Sequence, residues 1–511
     1  MAQQPASEGD DQSVAKSSNA LPQHPNSEWD FRSIAELSEG LRSRKISASE
    51  LLDHSISRIE ALDPHLNAIV VRDFDRAKET AKAVDAVLAR GEPPRPLLGI
   101  PVTVKEPFNM AGLPTTWGFP QFRDFVPSQD SLLVERLRKA GAVIIGKTNI
   151  PPGLGDFQSY NEIYGTTNNP WDVSRTPGGS SGGCAASLAA GFQALSIGTD
   201  IGGSIRMPAH FTGIYGHKPT LGLVPLRGYN APPASSSPGH GDLGVAGPMA
   251  RHALDLDLAL DVIAGPDEEW EARAYRLALP RPRHNRLRDF RVFVIDTHPL
   301  IPTDTAVRLA IGNLAGQLEK SGIKVGRTSA SLPDLSASGR LYMKLLDAAR
   351  SIRLKPDNFT AAQQMAASLS NDDDRLGAER TRGSVMSHRE WLSVNAMRQR
   401  LRMQWRAFFD EWDVVIYPAA AVPAFPHDHS EPLEARSLEV DGKLFPYLDA
   451  CFIWADPAST CGLPATAAPI GQSPAGLPIG VQIIGPYLED RTPIAFAGHL
   501  EREFGGFVPP F

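Results

Sequence analysis

Cysteine is scarce: the chain of 511 residues has three, Cys184, Cys451 and Cys461, and no C-x-x-C spacing among them. That argues against a disulfide scaffold and a thiolate metal site, and for a reducing compartment. Long apolar runs are missing too, so no membrane span is expected. The polar N-terminus lacks a hydrophobic signal core, and the expected location is the cytoplasm. There is no long basic run, and the formal net charge is -7, which makes nucleic acid and anionic membrane poor partners. No H-E-x-x-H or clustered His/Asp pattern is present, so neither a metal nor a cofactor is expected. The glycines are not followed by a Lys-Ser/Thr pair, and G-x-G-x-x-G geometry is not matched, which removes the common nucleotide-phosphate loops.

Glycine and serine are abundant in one stretch, Thr176 to Thr220. It contains Gly178-Gly179-Ser180-Ser181-Gly182-Gly183 and Gly202-Gly203-Ser204. Bare glycines let backbone approach backbone or ligand, so a hydroxyl among them is surrounded by accessible N–H groups. A single Gly/Ser loop reads as a turn or linker. Two of them, separated by a small-residue helix (183–190) and a strand (194–200), present two serines at the ends of packed elements. That is a good place for a nucleophile.

Around this stretch strands alternate with helices, which indicates an α/β fold. Residues 1–28 are polar and are expected to be a disordered extension. A helix spans 32–44. A second opens at Ser47 with Glu50 completing a capping box, and Asp63-Pro64 is expected to stop it. The apolar run 98–104 reads as a buried strand that delivers Lys105 at its C-terminal end. Segment 335–413 changes character: it is charged and helical, with few strand signals. The tail carries Gly-Leu-Pro twice, at 462–464 and 476–478.

A serine hydroxyl needs a base. Three kinds are open. Gly178–Gly182 satisfies G-x-S-x-G and histidines lie downstream, but the elbow serine should follow a strand directly, and Ser174-Arg175-Thr176-Pro177 is loop. Lysine serves if burial lowers its pKa, and Lys105 at the end of an apolar strand fits. The S-x-x-K pattern at Ser321 to Lys324 contains Gly322, an ordinary helix stop. A metal-activated water has only His427 and His429 beside Asp428, which read as a solvated loop. Cys184 reads as a small packed residue at a helix start.

Lys105, the GGSSGG run at Gly178 to Gly183 and TDIGGSIR at Thr199 to Arg206 resemble the amidase signature family. So do GIPVTVKE at Gly99 to Glu106, NPWDVSRTPGGSSGG at Asn169 to Gly183, GHKPT at Gly216 to Thr220, GPMAR at Gly247 to Arg251 and GLPIGVQIIGP at Gly476 to Pro486. The resemblance spans most of the chain. It implies a mixed, twisted β-sheet of about ten strands between helical layers, formed by residues 29–511, with 335–413 covering the substrate. It implies a catalytic triad of Ser204 as nucleophile, Ser180 as bridging serine after a cis peptide bond, and Lys105 as base. The backbone N–H groups of Ile201, Gly202, Gly203 and Ser204 resemble the family's oxyanion hole. Ser181 is expected as a partner of Lys105, Thr199 as a support of the same loop, and Asp200 with Arg206 as a buried ion pair. Lys147 and Lys218 are read as structural. The implied reaction is hydrolysis of a small-molecule amide through an acyl-enzyme, with esters or carbamates as side substrates and a homodimer as candidate assembly. The alternative is a glutaminase-type component of a tRNA-dependent amidotransferase. Trp117, Phe157, Tyr164 and Trp454 are expected near the pocket and favour a bulky or aryl amide.

Overall fold

The computed structural model describes residues 21, 27–234 and 241–511. The expected disordered extension therefore lies almost wholly outside the described residues. In chain order the first strands are β1 (Ile69–Arg72), β2 (Pro101–Lys105), β3 (Val143–Thr148), β4 (Tyr160–Asn161) and β5 (Gly165–Thr166). Next come β6 (Leu195–Asp200), β7 (Tyr215–Lys218), β8 (Val245–Ala250), β9 (Arg291–Val294) and β10 (Lys324–Gly326). The last are β11 (Val414–Pro418), β12 (Ser437–Val440), β13 (Lys443–Pro446), β14 (Ala465–Gln472) and β15 (Pro478–Ile484). Eleven of them form one sheet in the order β1-β3-β2-β6-β8-β7-β14-β15-β11-β9-β10. β2 runs parallel to both β3 and β6, whereas β8, β7 and β14 follow in antiparallel succession.

Strand alternation builds the two faces. On β11, Val414 and Ile416 enter one apolar core, with helices such as Ala48–Leu66 and Arg491–Phe504. Val415 and Tyr417 enter a second core, with the helices Leu335–Arg350 and His388–Glu411. β2 obeys the same rule: Val102 and Val104 belong to the first core. Thr103 turns the other way and donates to Ser196 Oγ (2.8 Å). Lys105 shares that parity. Val104 lies opposite Ile197, so Lys105 ends level with the Gly198–Thr199 end of β6. The register of two parallel strands thus fixes where the amine sits.

The second helix begins as expected, with Ser47 and Glu50 bonded reciprocally. It does not stop at Asp63-Pro64 but runs to Leu66, with Asn67 in the left-handed conformation closing it. Pro64 is exposed and lies in the last turn, and Glu60, four residues before it, is exposed as well, so the N–H that proline lacks is missed on the solvent side. Segment 335–413 is mainly helical, with Leu335–Arg350, Pro356–Ser368, Leu376–Ser384 and His388–Glu411 joined by short connections. Among the described residues no helix is long and apolar enough to cross a membrane.

Candidate active site

The two glycine–serine loops meet. The first leads into the helix Gly182–Ala189, and the second joins β6 to the helix Arg206–Thr212. Ser181 N–H donates to Ser204 O (3.2 Å), tying loop to loop. The Gly179–Ser180 peptide bond is cis. Gly179 passes so close to 156–158 that a Cβ there would lie 2.6 Å from Asp156 O, Gln158 N and Phe157 C. Only glycine fits that approach. Ser159 pins the loop from outside: its hydroxyl donates to Gly178 O (3.1 Å) and accepts from Gly182 N (3.0 Å).

Lys105 is fully buried. Its Nζ lies 2.7 Å from Ser180 Oγ and 2.8 Å from Thr199 Oγ1. Burial drives its pKa down from 10.5 to about 7, against the upward pull of Cys184 and Asp200. Ser180 and Ser204 both line a cavity of about 720 Å³.

The loop after β6 is organised by Asp200. Its carboxylate accepts from Gly203 N (2.9 Å) and Ile205 N (3.1 Å), and pairs with Arg206 at 2.8 Å with both side chains buried. Burial pushes this carboxyl up, but Arg206, Lys218 and the Ile205 N–H outweigh it and hold the pKa at about 2. Arg206 also donates to Gln482 Oε1 (2.6 Å) and Ser459 Oγ (3.0 Å), anchoring the loop to β15.

Two expectations need correction. Gly203 does not offer a free N–H to the cavity, because Asp200 takes it; Ile201, Gly202 and Ser204 keep theirs without a hydrogen bond among the described residues. Ser181 does not bond Lys105. Its hydroxyl reaches the Thr199 backbone, donating to O (3.2 Å) and accepting from N (3.3 Å). The side chain beside Lys105 is Thr199, which Tyr229 Oη also reaches (3.3 Å).

Of the four expected pocket aromatics, Trp117 and Phe157 line the cavity. Trp454 is instead packed in the second core, donating to Ala450 O, and Tyr164 holds the β4–β5 hairpin through its carbonyl and Asn67. The sequence reading missed Tyr229, Phe452, Arg350 and Arg353, which also line the cavity. Phe452 lies edge-on to Phe157 at 4.7 Å. They come from distant segments and carry no local motif. Tyr342 of the helix Leu335–Arg350 donates to Ile201 O (3.1 Å), joining the helical segment to the loop.

The other candidates lie elsewhere. Lys147 is buried and donates to Thr115 Oγ1 (2.8 Å), and Lys218 donates to Pro219 O (2.8 Å). Cys184 is buried with its thiol 3.0 Å from Thr148 Oγ1, and burial raises its pKa. Lys324 is exposed against the Trp412 ring, and His429 is stacked on Tyr160. Among the described residues no three His, Cys, Asp or Glu side chains are grouped to hold a metal ion.

Comparison with known proteins matches residues 50–493 to a family model described as Amidase. The chain is 34% identical over 501 residues to a component chain of the glutamyl-tRNA(Gln) amidotransferase of Acidothermus cellulolyticus, covering 93% of this chain and 94% of that one. Indoleacetamide hydrolase of Bradyrhizobium diazoefficiens is 32% identical, covering 92% and 85% respectively. The crystal structure of a bacterial aryl acylamidase of the amidase signature enzymes superposes with a TM-score of 0.76 at 25% identity, covering 93% of this chain and 97% of that chain.

Proposed function

This chain belongs to the amidase signature family, and from that membership we propose that it hydrolyses a carboxylic amide through Ser204, Ser180 and Lys105. The observation that carries the proposal is the buried Lys105 amine in contact with Ser180 Oγ at the wall of the cavity that Ser204 lines. A neutral amine has two N–H groups and one lone pair. With Thr199 Oγ1 taking one N–H, the lone pair is left for the Ser180 hydroxyl proton.

Lys105 Nζ takes the Ser180 proton as Ser180 Oγ takes that of Ser204. Ser204 Oγ attacks the amide carbon, and the carbonyl electron pair moves to oxygen, where the N–H groups of Ile201, Gly202 and Ser204 receive it. On collapse the C–N bond breaks. Ser180 gives its proton to the leaving nitrogen and recovers one from Lys105. Water then attacks the acyl-enzyme by the same relay, releasing the acid and restoring Ser204.

The aromatic walls formed by Trp117, Phe157, Tyr229 and Phe452 support a bulky or aryl amide. Esters and carbamates present the same acyl carbon and are side substrates. The test is turnover of an amide panel by the wild type and Ser204→Ala. The expected loss is about 10³-fold or more in kcat with folding intact. Near wild-type turnover by Ser204→Ala would sink the assignment.

A second reading has its own support in the 34% identity to an amidotransferase component: the chain works as the glutaminase-type member of such a complex. Co-purification with partner chains, together with glutamine as the only amide hydrolysed, would favour it over a stand-alone amidase.

A further inference from the structure

The cavity wall nearest Lys105 ends in an arginine, Arg353, that has no acidic partner among the described residues. Tyr229 Oη reaches Thr199 beside Lys105, and the Tyr229 ring packs on Trp117 at 5.0 Å. The Trp117 indole in turn lies under the Arg353 guanidinium, 5.1 Å from its carbon. This wall is held from behind. The buried Glu106, next to Lys105 in sequence, accepts from the N–H groups of Thr116 and Trp117. Arg353 Nη1 donates to Gly153 O (2.6 Å). That bond and the indole face orient the guanidinium plane, and the side chain stays solvent-accessible at the cavity wall.

The charges around it are matched elsewhere. Arg350 pairs with Asp347 (2.9 Å), and Arg380 pairs with Asp347 (2.9 Å) and Asp449 (3.4 Å). The lining carboxylates Asp156 and Asp242 pair with Arg436 (2.7 Å) and Arg398 (2.8 Å). Glu434 is exposed on a wall shared with a neighbouring cavity. Tyr229 and Arg350 act on the Arg353 charge, and no carboxylate pairs with it among the described residues. A guanidinium has five N–H donors in a rigid fork suited to a carboxylate, and Gly153 uses one side of it.

We propose that the substrate carries a carboxylate remote from the scissile amide, and that Arg353 receives it. This rests on the amide-hydrolysing reading above. Two substrate types share the chemistry: monoamides of dicarboxylic acids, with the charge on the acyl side, and N-acyl amino acids, with the charge on the amine side. Arg353 is then a specificity-determining residue that adds binding at the far end of the cavity.

The test uses the full-length protein and two matched pairs. The first is glutaric acid monoanilide against butyranilide, and the second N-benzoyl-β-alanine against N-benzoylpropylamine. In at least one pair the charged member is expected to have a kcat/KM about tenfold higher or more, carried mainly by KM. Which pair shows it assigns the acyl or the amine side. Arg353→Ala is expected to reduce that charged-to-neutral ratio about tenfold, and Arg353→Lys to retain part of it, with circular dichroism showing both variants folded. Calorimetric binding of the same compounds to Ser204→Ala separates the two readings. Tighter binding of the charged member, lost in Ser204→Ala/Arg353→Ala, supports the anion site even if no compound is turned over. Turnover of neutral amides with a ratio near one in both pairs, or a preference unchanged in folded Arg353→Ala, overturns the anion site and leaves the amidase reading standing.

Discussion

Lys105 is where burial becomes chemistry. With a pKa of about 7 it is protonated in acid and neutral above, and only the neutral form accepts a proton from Ser180. The logarithm of kcat/KM should therefore rise with pH and level off above about 7; a flat profile from pH 5 to 9 in steady-state assays would contradict a lysine base. Thr199→Val removes an acceptor that holds the charged amine more strongly than the neutral one. The expected outcome is a kcat lower by about 10- to 100-fold and an acid limb shifted to lower pH. At this scale the sequence was legible where a motif carries the residue: Lys105 ends an apolar strand, and both serines sit in glycine runs. It was not legible where partner choice depends on loop geometry. The sequence pointed to Ser181 as the partner of Lys105 and to Thr199 as a loop support, and only the packing of two loops puts the Thr199 hydroxyl, not that of Ser181, on the amine.

At the level of elements, the glycine loops are defined by how closely other backbone approaches them. A Cβ at Gly179 would meet three backbone atoms of 156–158 at 2.6 Å, none of which is the end of a flexible side chain. Gly179→Ala should destabilise the protein by about 2–4 kcal/mol and abolish activity, read by denaturant midpoint and assay. Gly312 makes the contrast. It lies inside the helix Thr305–Lys320, and a Cβ there meets nothing within 4 Å. Gly312→Ala should stabilise by about 0.5–1 kcal/mol without changing turnover. Elements with strong local signals were readable: the capping box at Ser47, and the Val-Thr-Val-Lys strand with alternate residues on opposite faces. Pro64 misled because a proline in an exposed last turn costs the helix little. In the cavity wall, Trp117 was expected near the pocket, but its neighbours Tyr229 and Arg353 had no signature, since the wall joins three segments far apart in sequence.

Over the whole molecule, alternation of strands and helices gave the α/β class but not the order of the sheet. β14 lies between β7 and β15, and β8 between β6 and β7, which local pattern does not encode. The sheet has eleven strands where about ten were expected. Folding it buries three lysines whose pKa values fall by desolvation: Lys105 to about 7, Lys147 to about 8 and Lys218 to about 7. Between these values and 10.5 the unfolded chain binds more protons than the folded one, so stability rises with pH across that window. The denaturation midpoint should increase from pH 7 to 9, and the increase should shrink in Lys218→Met; a midpoint falling over that range would contradict neutral buried lysines. The central claim is that this scaffold makes Ser204 a nucleophile. Its most direct test is intact-mass spectrometry after incubation with a fluorophosphonate, followed by peptide mapping. A single adduct on Ser204, lost in Ser204→Ala and weakened in Lys105→Ala, is the expected result. An adduct on Ser180, or none on folded wild-type protein, would contradict it.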